Sequence, residues 1–269
     1  MKWTAPRIQG CKGGEKISCL TAGDVAMARL LDAAGIHMVL VGDSLAMTLL
    51  GHTTTLPATM DVMLHHTAAV VRGVKTALVV ADMPFLSYQV SDDQALSNAG
   101  RFLQEAGADA VKIEGGRIRS SCVQRLVQNG IPVLGHIGLM PQSVRTMGGY
   151  KMQGRSAEAA EALLADAQAL EAAGVFGIVL ECVPADVAAR VTAAVGVPTI
   201  GIGAGADCDG QVLVTHDILG FDSAVSPSFV KRYADVGTLM TESFRAYRED
   251  VAAGRFPDAS HSPRRGDKA

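Results

Sequence analysis

Five apolar segments of this chain end in side chains suited to acid–base or metal chemistry. They are Val39–Leu40–Val41–Gly42–Asp43–Ser44, Leu78–Val79–Val80–Ala81–Asp82, Ala110–Val111–Lys112–Ile113–Glu114, Pro132–Val133–Leu134–Gly135–His136 and Ile178–Val179–Leu180–Glu181. If these segments are parallel strands closed into a barrel, their C-terminal ends share one rim, where such barrels hold their active sites. Lys112 and Glu114 lie two apart on a strand, so they share a face. In a barrel that face is the interior. One rim would then carry several carboxylates, a lysine and a histidine.

Three acids on one rim, Asp43, Asp82 and Glu114, repel one another. At an effective dielectric of about 20, each pair ~4 Å apart costs about 4 kcal/mol. Lys112 alone cannot neutralise three. Hard carboxylate oxygens without a Cys/His cluster suit Mg²⁺ over Zn²⁺, and Mg²⁺ leaves positions for a chelating substrate. The plainer readings are helix capping for each Asp and a strand-end salt bridge for Lys112 and Glu114. Glu181 ends an apolar strand before Cys182 and Val183, surroundings that disfavour its charged form and suit a base. Its plainer reading is a partly exposed loop glutamate. His136, with Gly135 before it and Gly138 after, can donate a hydrogen bond to an anionic intermediate or serve as a core histidine.

Positioning such a rim takes alternating strands and helices, and the chain supplies them at about 30 residues per unit. The strands expected are Ile17–Thr21, Met38–Val41, Ala77–Ala81, Ala110–Ile113, Val133–His136, Gly177–Leu180 and Thr199–Gly203, with an eighth between Val212 and Val225. Helices are expected from Asp24 to about Ala34, and over Asp61–Arg72, Asp92–Glu105, Arg117–Gln128, Ala157–Ala173, Pro184–Val195 and Phe229–Ala253. Ser44–Thr59 and Gly138–Gly154 read as long functional loops. The fold class is therefore α/β, a (β/α)₈ barrel in one domain over residues 1–269. Its core is about 17–257, it carries extra terminal helices, and the tail 258–269 is expected to be poorly ordered. An open doubly wound sheet is the alternative; a strand count near eight favours the barrel.

Bulk properties exclude other classes. A formal net charge of −3 offers no basic footprint for nucleic acid, and one Trp among few aromatics gives no stacking platform. The five cysteines, Cys11, Cys19, Cys122, Cys182 and Cys208, include no C-x-x-C pair. Reduced thiols in a cytoplasmic protein are expected, not a zinc site or disulfide framework. No apolar h-region or membrane-length run is present. His65 and His66 are adjacent on a helix and do not make a two-histidine metal face. Gly201-x-Gly203-x-Gly205 misses the dinucleotide fingerprint and reads as a tight turn.

Beyond these single features, ordered strings run along the chain: Val41–Gly42–Asp43–Ser44–Leu45, Ala81–Asp82–Met83–Pro84–Phe85, Val111–Lys112–Ile113–Glu114–Gly115–Gly116, Gly135–His136–Ile137–Gly138–Leu139, Pro141–Gln142–Ser143, Gly148–Gly149–Tyr150–Lys151, Leu180–Glu181–Cys182–Val183–Pro184 and Asp209–Gly210–Gln211. From about Ile17 to Pro257 the chain resembles the 3-methyl-2-oxobutanoate (ketopantoate) hydroxymethyltransferases. The resemblance implies a (β/α)₈ barrel that moves a one-carbon unit from 5,10-methylenetetrahydrofolate to 3-methyl-2-oxobutanoate, giving 2-dehydropantoate for pantothenate synthesis. It implies Mg²⁺ at Asp43, Asp82 and Glu114, some through water, and keto-acid binding by Asp43, Ser44, Asp82 and Lys112. Glu181 matches the proton acceptor, and a homodecamer of two pentameric rings is implied. The chain departs from the family pattern at Gly23, where tyrosine is usual, at Ala46, where glycine is common, and at Met140, where threonine is common. Two rival readings remain: a Mg²⁺-dependent lyase or mutase of the phosphoenolpyruvate mutase/isocitrate lyase type, and a non-catalytic metabolite-binding paralogue.

Overall fold

A computed structural model describes residues 1–221 and 227–262. Eight parallel strands close into a barrel in chain order. Helix α1 (Ala5–Gln9) precedes β1 (Ile17–Thr21), followed by α2 (Val25–Ala33), β2 (Met38–Val41), α3 (Leu45–Thr48), α4 (Met60–Gly73), β3 (Leu78–Asp82) and α5 (Asp92–Gln104). Then come β4 (Ala110–Glu114), a 3₁₀ turn at Arg117–Arg119 leading into α6 (Ser120–Gln128), β5 (Val133–Gly138), α7 (Val144–Met147), α8 (Ala157–Ala172), β6 (Gly177–Glu181), α9 (Ala185–Ala194), β7 (Thr199–Ile202) and β8 (Gly210–Leu213). Helix starts follow side-chain caps. Asp24 accepts from the amides of Ala26 and Met27, Thr59 from Val62, Ser91 from Gln94 and Ser156 from Ala159, so the free N–H groups of each first turn find an acceptor.

Alternation along the strands sorts side chains into two layers. Val39, Val41, Val79, Val111 and Ile178 pack outward in the layer shared with the helices. Met38, Leu40, Leu78, Val80, Ala110, Leu134, Val179, Ile200 and Val212 fill the interior. The same parity sends Asp82, Lys112, Glu114, His136 and Glu181 inward, one or two steps further along their strands. At the other end, Ala5, Ile8 and Cys11 of the α1 segment join the interior cluster and close the floor. Buried Asp209 fastens that floor. It accepts from the amides of Gly13 and Thr199, each at 2.9 Å, and pairs with Lys12 at 2.9 Å.

One expectation needs correction. The eighth strand runs Gly210–Leu213, earlier than the Val212–Val225 span, of which residues 222–226 lie outside the described residues. Glycine opens this strand, where a Cβ would stand 2.5 Å from the Ile17 carbonyl oxygen. No helix separates β7 from β8. The chain comprises two compact units, Met1–Thr215 and His216–Ala269. The two buried core clusters contain nothing beyond Val212, so the barrel's own core is complete before the second unit begins.

That second unit carries most of α10 (Thr215–Leu219) and all of α11 (Val236–Ala252). Its final described stretch forms a turn in which Asp258 accepts from the amides of Ser260 and His261; residues 263–269 of the expected loose tail lie outside the described residues. All five cysteines are free thiols. Among the described residues no helix is long and apolar enough to cross a membrane.

Candidate active site

The strand ends converge as the alternation requires. Asp43, Asp82, Lys112, Glu114 and His136 are buried and Ser44 and Glu181 partly so. All seven line one cavity of about 110 Å³. Thr21, Thr55 and Pro141 complete its polar side, and Val179, Ile202, Val212 and Val214 give it an apolar wall. Ser44 begins α3 without using its hydroxyl as a cap. Cross-strand register sets Asp82 beside Lys112, Glu114 beside His136 and Gly138 beside Glu181. Gly138 takes φ +95°, and a Cβ there would collide with the Glu181 carbonyl oxygen. Glycine is therefore required where β5 and β6 come closest to the site.

Lys112 is the hub. Its Nζ lies 2.9 Å from Asp82 Oδ1 and 3.1 Å from His136 Nδ1. An ammonium only donates, so Nδ1 must accept and the ring proton sits on Nε2. Nε2 lies 3.1 Å from Glu181 Oε2, a close contact not aligned as a full hydrogen bond. The Asp43 amide donates to Asp82 Oδ2 at 3.2 Å. Of the two histidine roles open from sequence, the structure adds a third: His136 bridges lysine and glutamate. Burial, with Lys112 next to it, holds its pKa below the ordinary value, against the pull of Glu181. Burial would by itself lower the Lys112 ammonium; Asp82, Glu114 and Asp43 together hold it above its ordinary value.

The acids remain short of positive charge. Burial first, and Asp82 second, push Asp43 up to about 8. Burial likewise raises Glu114 well above the usual carboxylate range, with Lys112 opposing. Glu114 Oε1 is buried without a hydrogen-bond partner. This all-oxygen, under-neutralised set suits a hard divalent cation that keeps some of its waters. Yet among the described residues no three His, Cys, Asp or Glu side chains form a ready metal cluster. The reason is local: Glu114 Oε2 accepts from the Gln142 amide at 3.2 Å, while Asp82 is drawn to Lys112. Asp43, Asp82 and Glu114 are the carboxylates with which such an ion could be held.

The raised carboxyl of Asp43 has a stability consequence. Between its unfolded value near 3.8 and its folded value of about 8, the folded state holds a proton that the unfolded state has lost. Stability of the metal-free protein should therefore fall as pH rises through that window. Thermal unfolding in chelator at pH 5, 6.5 and 8 reads the slope, and added Mg²⁺ should flatten it. A flat profile in chelator would mean that another group already neutralises Asp43.

Sequence reasoning passed over Gln142. Its Nε2 donates to Asp43 Oδ2 at 3.0 Å and to the Met83 carbonyl at 2.9 Å. Its Oε1 accepts from the Tyr88 hydroxyl at 2.8 Å and from Gln89 Nε2 at 3.2 Å. The buried side chain thus ties Asp43 to the loop after β5, while the Gln142 main-chain N–H holds Glu114. The available signal was the Pro141–Gln142–Ser143 string, which carried resemblance but no chemistry. Gln142→Leu should cost about 1–3 kcal/mol through groups left unpaired, and Tyr88→Phe about 1 kcal/mol. Chemical denaturation reads both; an unchanged midpoint in Gln142→Leu would mean that the network is not holding the acids.

The two long loops meet over the site, where the Tyr150 hydroxyl contacts Met47 Sδ at 3.8 Å. The family departures lie apart from the polar cluster. A Cβ at Gly23 would collide with Leu49 Cδ1, so Leu49 occupies the space a larger residue 23 would need. Ala46 is fully buried in α3. Met140 lines a second cavity, of about 220 Å³, with Gly116, Met147 and Gln153. Cys182, just after Glu181, takes a left-handed φ of +49°, strain that accumulates at functional sites.

Comparison with known proteins agrees with this geometry. The chain is 55% identical over 262 residues to 3-methyl-2-oxobutanoate hydroxymethyltransferase of Syntrophus aciditrophicus (strain SB), covering 97% of this chain and 96% of that protein. It is 57% identical over 258 residues to the enzyme of that name from Syntrophobacter fumaroxidans (strain DSM 10017 / MPOB), covering 96% and 92%. Among solved structures, 2,3-dimethylmalate lyase, a PEP mutase/isocitrate lyase superfamily member, matches with a TM-score of 0.62 at 15% identity, covering 98% of this chain and 93% of that one. At that identity the likeness concerns the fold alone. The family model for ketopantoate hydroxymethyltransferase matches residues 2–259, nearly the whole chain and every strand end that lines the cavity, so this chain belongs to the ketopantoate hydroxymethyltransferase family.

Proposed function

We propose that the protein transfers a hydroxymethyl group from 5,10-methylenetetrahydrofolate to 3-methyl-2-oxobutanoate, forming 2-dehydropantoate and tetrahydrofolate for pantothenate synthesis. We place it in the cytoplasm as a homodecamer, as the family resemblance implies. The observation that carries the activity is the convergence, within one small cavity, of Glu181, Lys112 and three further acids.

The apolar wall of Val179, Ile202, Val212 and Val214 suits the branched alkyl end of the keto acid, and Ser44 and Lys112 suit its oxygens. Glu181 takes the C3 proton, a step to which a positioned base contributes about 10²–10⁴-fold. His136 Nε2–H, beside Glu181 Oε2, orients that carboxylate. Lys112 stabilises the negative charge that grows on the keto oxygen. Water opens one of the two C–N bonds of the folate methylene, leaving a hydroxymethyl on the other nitrogen and a proton on the first; C3 then bonds to that carbon as the second C–N bond breaks, and the proton taken by Glu181 passes to the released nitrogen. Mg²⁺ held by Asp43, Asp82 and Glu114 would add Lewis-acid stabilisation of several kcal/mol. The Tyr150–Met47 contact suits loops that close over the site and limit side reactions with water.

A lyase or mutase reading has only a shared fold behind it, which carries no chemistry. Retention of Lys112, Glu181 and the acids weighs against a non-catalytic paralogue. The deciding experiment incubates purified protein with Mg²⁺, methylenetetrahydrofolate and 3-methyl-2-oxobutanoate and follows 2-dehydropantoate. No product, with cleavage of a 2-hydroxy diacid instead, would overturn the assignment in favour of a lyase.

A further inference from the structure

Thr55 lies between α3 and α4, in a turn where its carbonyl accepts from the Ala58 amide at 3.0 Å. It is only 3% exposed. It lines the same cavity as Asp43, Lys112 and Glu181, and its Oγ1 has no hydrogen-bond partner. Leaving a buried hydroxyl unpaired costs about 1–3 kcal/mol. Thr21 borders the cavity too, but its hydroxyl accepts from the Thr215 amide at 3.1 Å. The other unpaired hydroxyls, Thr67 and Ser87, do not line this cavity. His136 Nε2–H is unpaired too, but it faces Glu181, so Thr55 offers the cavity a buried hydroxyl that nothing engages.

The chemistry of the lining identifies the partner. Toward a bound cation, the carboxylates of Asp43, Asp82, Glu114 and Glu181 would serve as acceptors. The Lys112 ammonium is engaged by Asp82 and His136. A 2-oxo acid brings carboxylate and keto oxygens, all acceptors. The ammonium suits the keto oxygen, where charge grows during reaction. A neutral hydroxyl suits the carboxylate, whose charge stays constant. We propose that Thr55 is a substrate-binding residue whose hydroxyl donates to the carboxylate of the 2-oxo acid. This assignment rests on the proposed activity. An interaction equal in ground and transition states sets KM and leaves kcat alone.

Thr55→Val keeps the shape and removes the donor, and Thr55→Ser keeps the donor. Binding of 3-methyl-2-oxobutanoate in the presence of Mg²⁺ is measured by calorimetry, alongside kinetics and thermal unfolding. The expected result is a Kd and KM raised about tenfold in Thr55→Val, with kcat within about twofold of wild type. Thr55→Ser should bind nearly as wild type. The unfolding midpoint of Thr55→Val should not fall, because an unpaired hydroxyl has been removed. Unchanged Kd in Thr55→Val overturns the proposal. A lowered midpoint with unchanged Kd also overturns it and makes the hydroxyl structural. A loss confined to kcat overturns the carboxylate assignment. Wild-type protein that binds no 2-oxo acid would overturn both this proposal and the proposed activity, whereas binding by wild type with an unaffected Thr55→Val overturns this one alone.

Discussion

Glu181→Gln is expected to slow exchange of the C3 proton of 3-methyl-2-oxobutanoate by about 10²–10⁴, the range of general-base catalysis. Glutamine keeps the size and loses the proton acceptor. Asp43, Ser44, Asp82, Lys112 and Glu114 stand on β3 and β4 or just after β2, so keto-acid and Mg²⁺ binding should survive. Deuterium exchange monitored by NMR isolates this step from folate turnover. Exchange at the wild-type rate with failed one-carbon transfer would move Glu181 to the folate half of the reaction. Lost keto-acid binding would make it a substrate ligand, and the base would have to be sought among the other groups of the cavity.

The second large effect concerns Lys112. Lys112→Met keeps much of the side-chain length and removes the charge from a buried pair with Asp82 at 2.9 Å. Breaking such a pair from one side costs about 3–5 kcal/mol, because the remaining charge is left uncompensated. Turnover should also fall by about 10²–10³, the usual loss when one preorganised electrostatic group is removed. Urea unfolding and initial rates measure the two effects separately. Adding Asp82→Asn should restore much of the stability and none of the turnover. A single variant as stable as wild type would show that the pair is not charged in the folded protein.

The barrel was legible because its determinants are local. Apolar segments end in polar residues, Asp24 and Ser156 cap helices, and glycines stop them. Strand parity then carried Lys112, Glu114 and His136 to the interior without knowledge of any contact. What escaped depends on tertiary approach. Gln142 and Thr55 lie on loops without periodicity, so nothing in their neighbours marks them. Three acids could be counted along the chain, but not the turn of Glu114 toward the Gln142 amide or the pull of Lys112 on Asp82. The eighth strand escaped for the same reason: Gly210 is in place because it lets β8 lie against β1, a contact that its sequence neighbours do not mark.

That last contact has a consequence in time. Ile17 pairs with Gly210, and Cys19 with Val212. At roughly 5–20 residues per second of synthesis, a growing chain makes the first strand roughly 10–40 seconds before its final neighbour exists. Until then one edge of the sheet stands open, and the Lys12–Asp209 clasp beneath it cannot form. An unpaired edge invites pairing with other chains, so the nascent chain is most vulnerable to aggregation during this wait, before the ribosome has delivered Asp209.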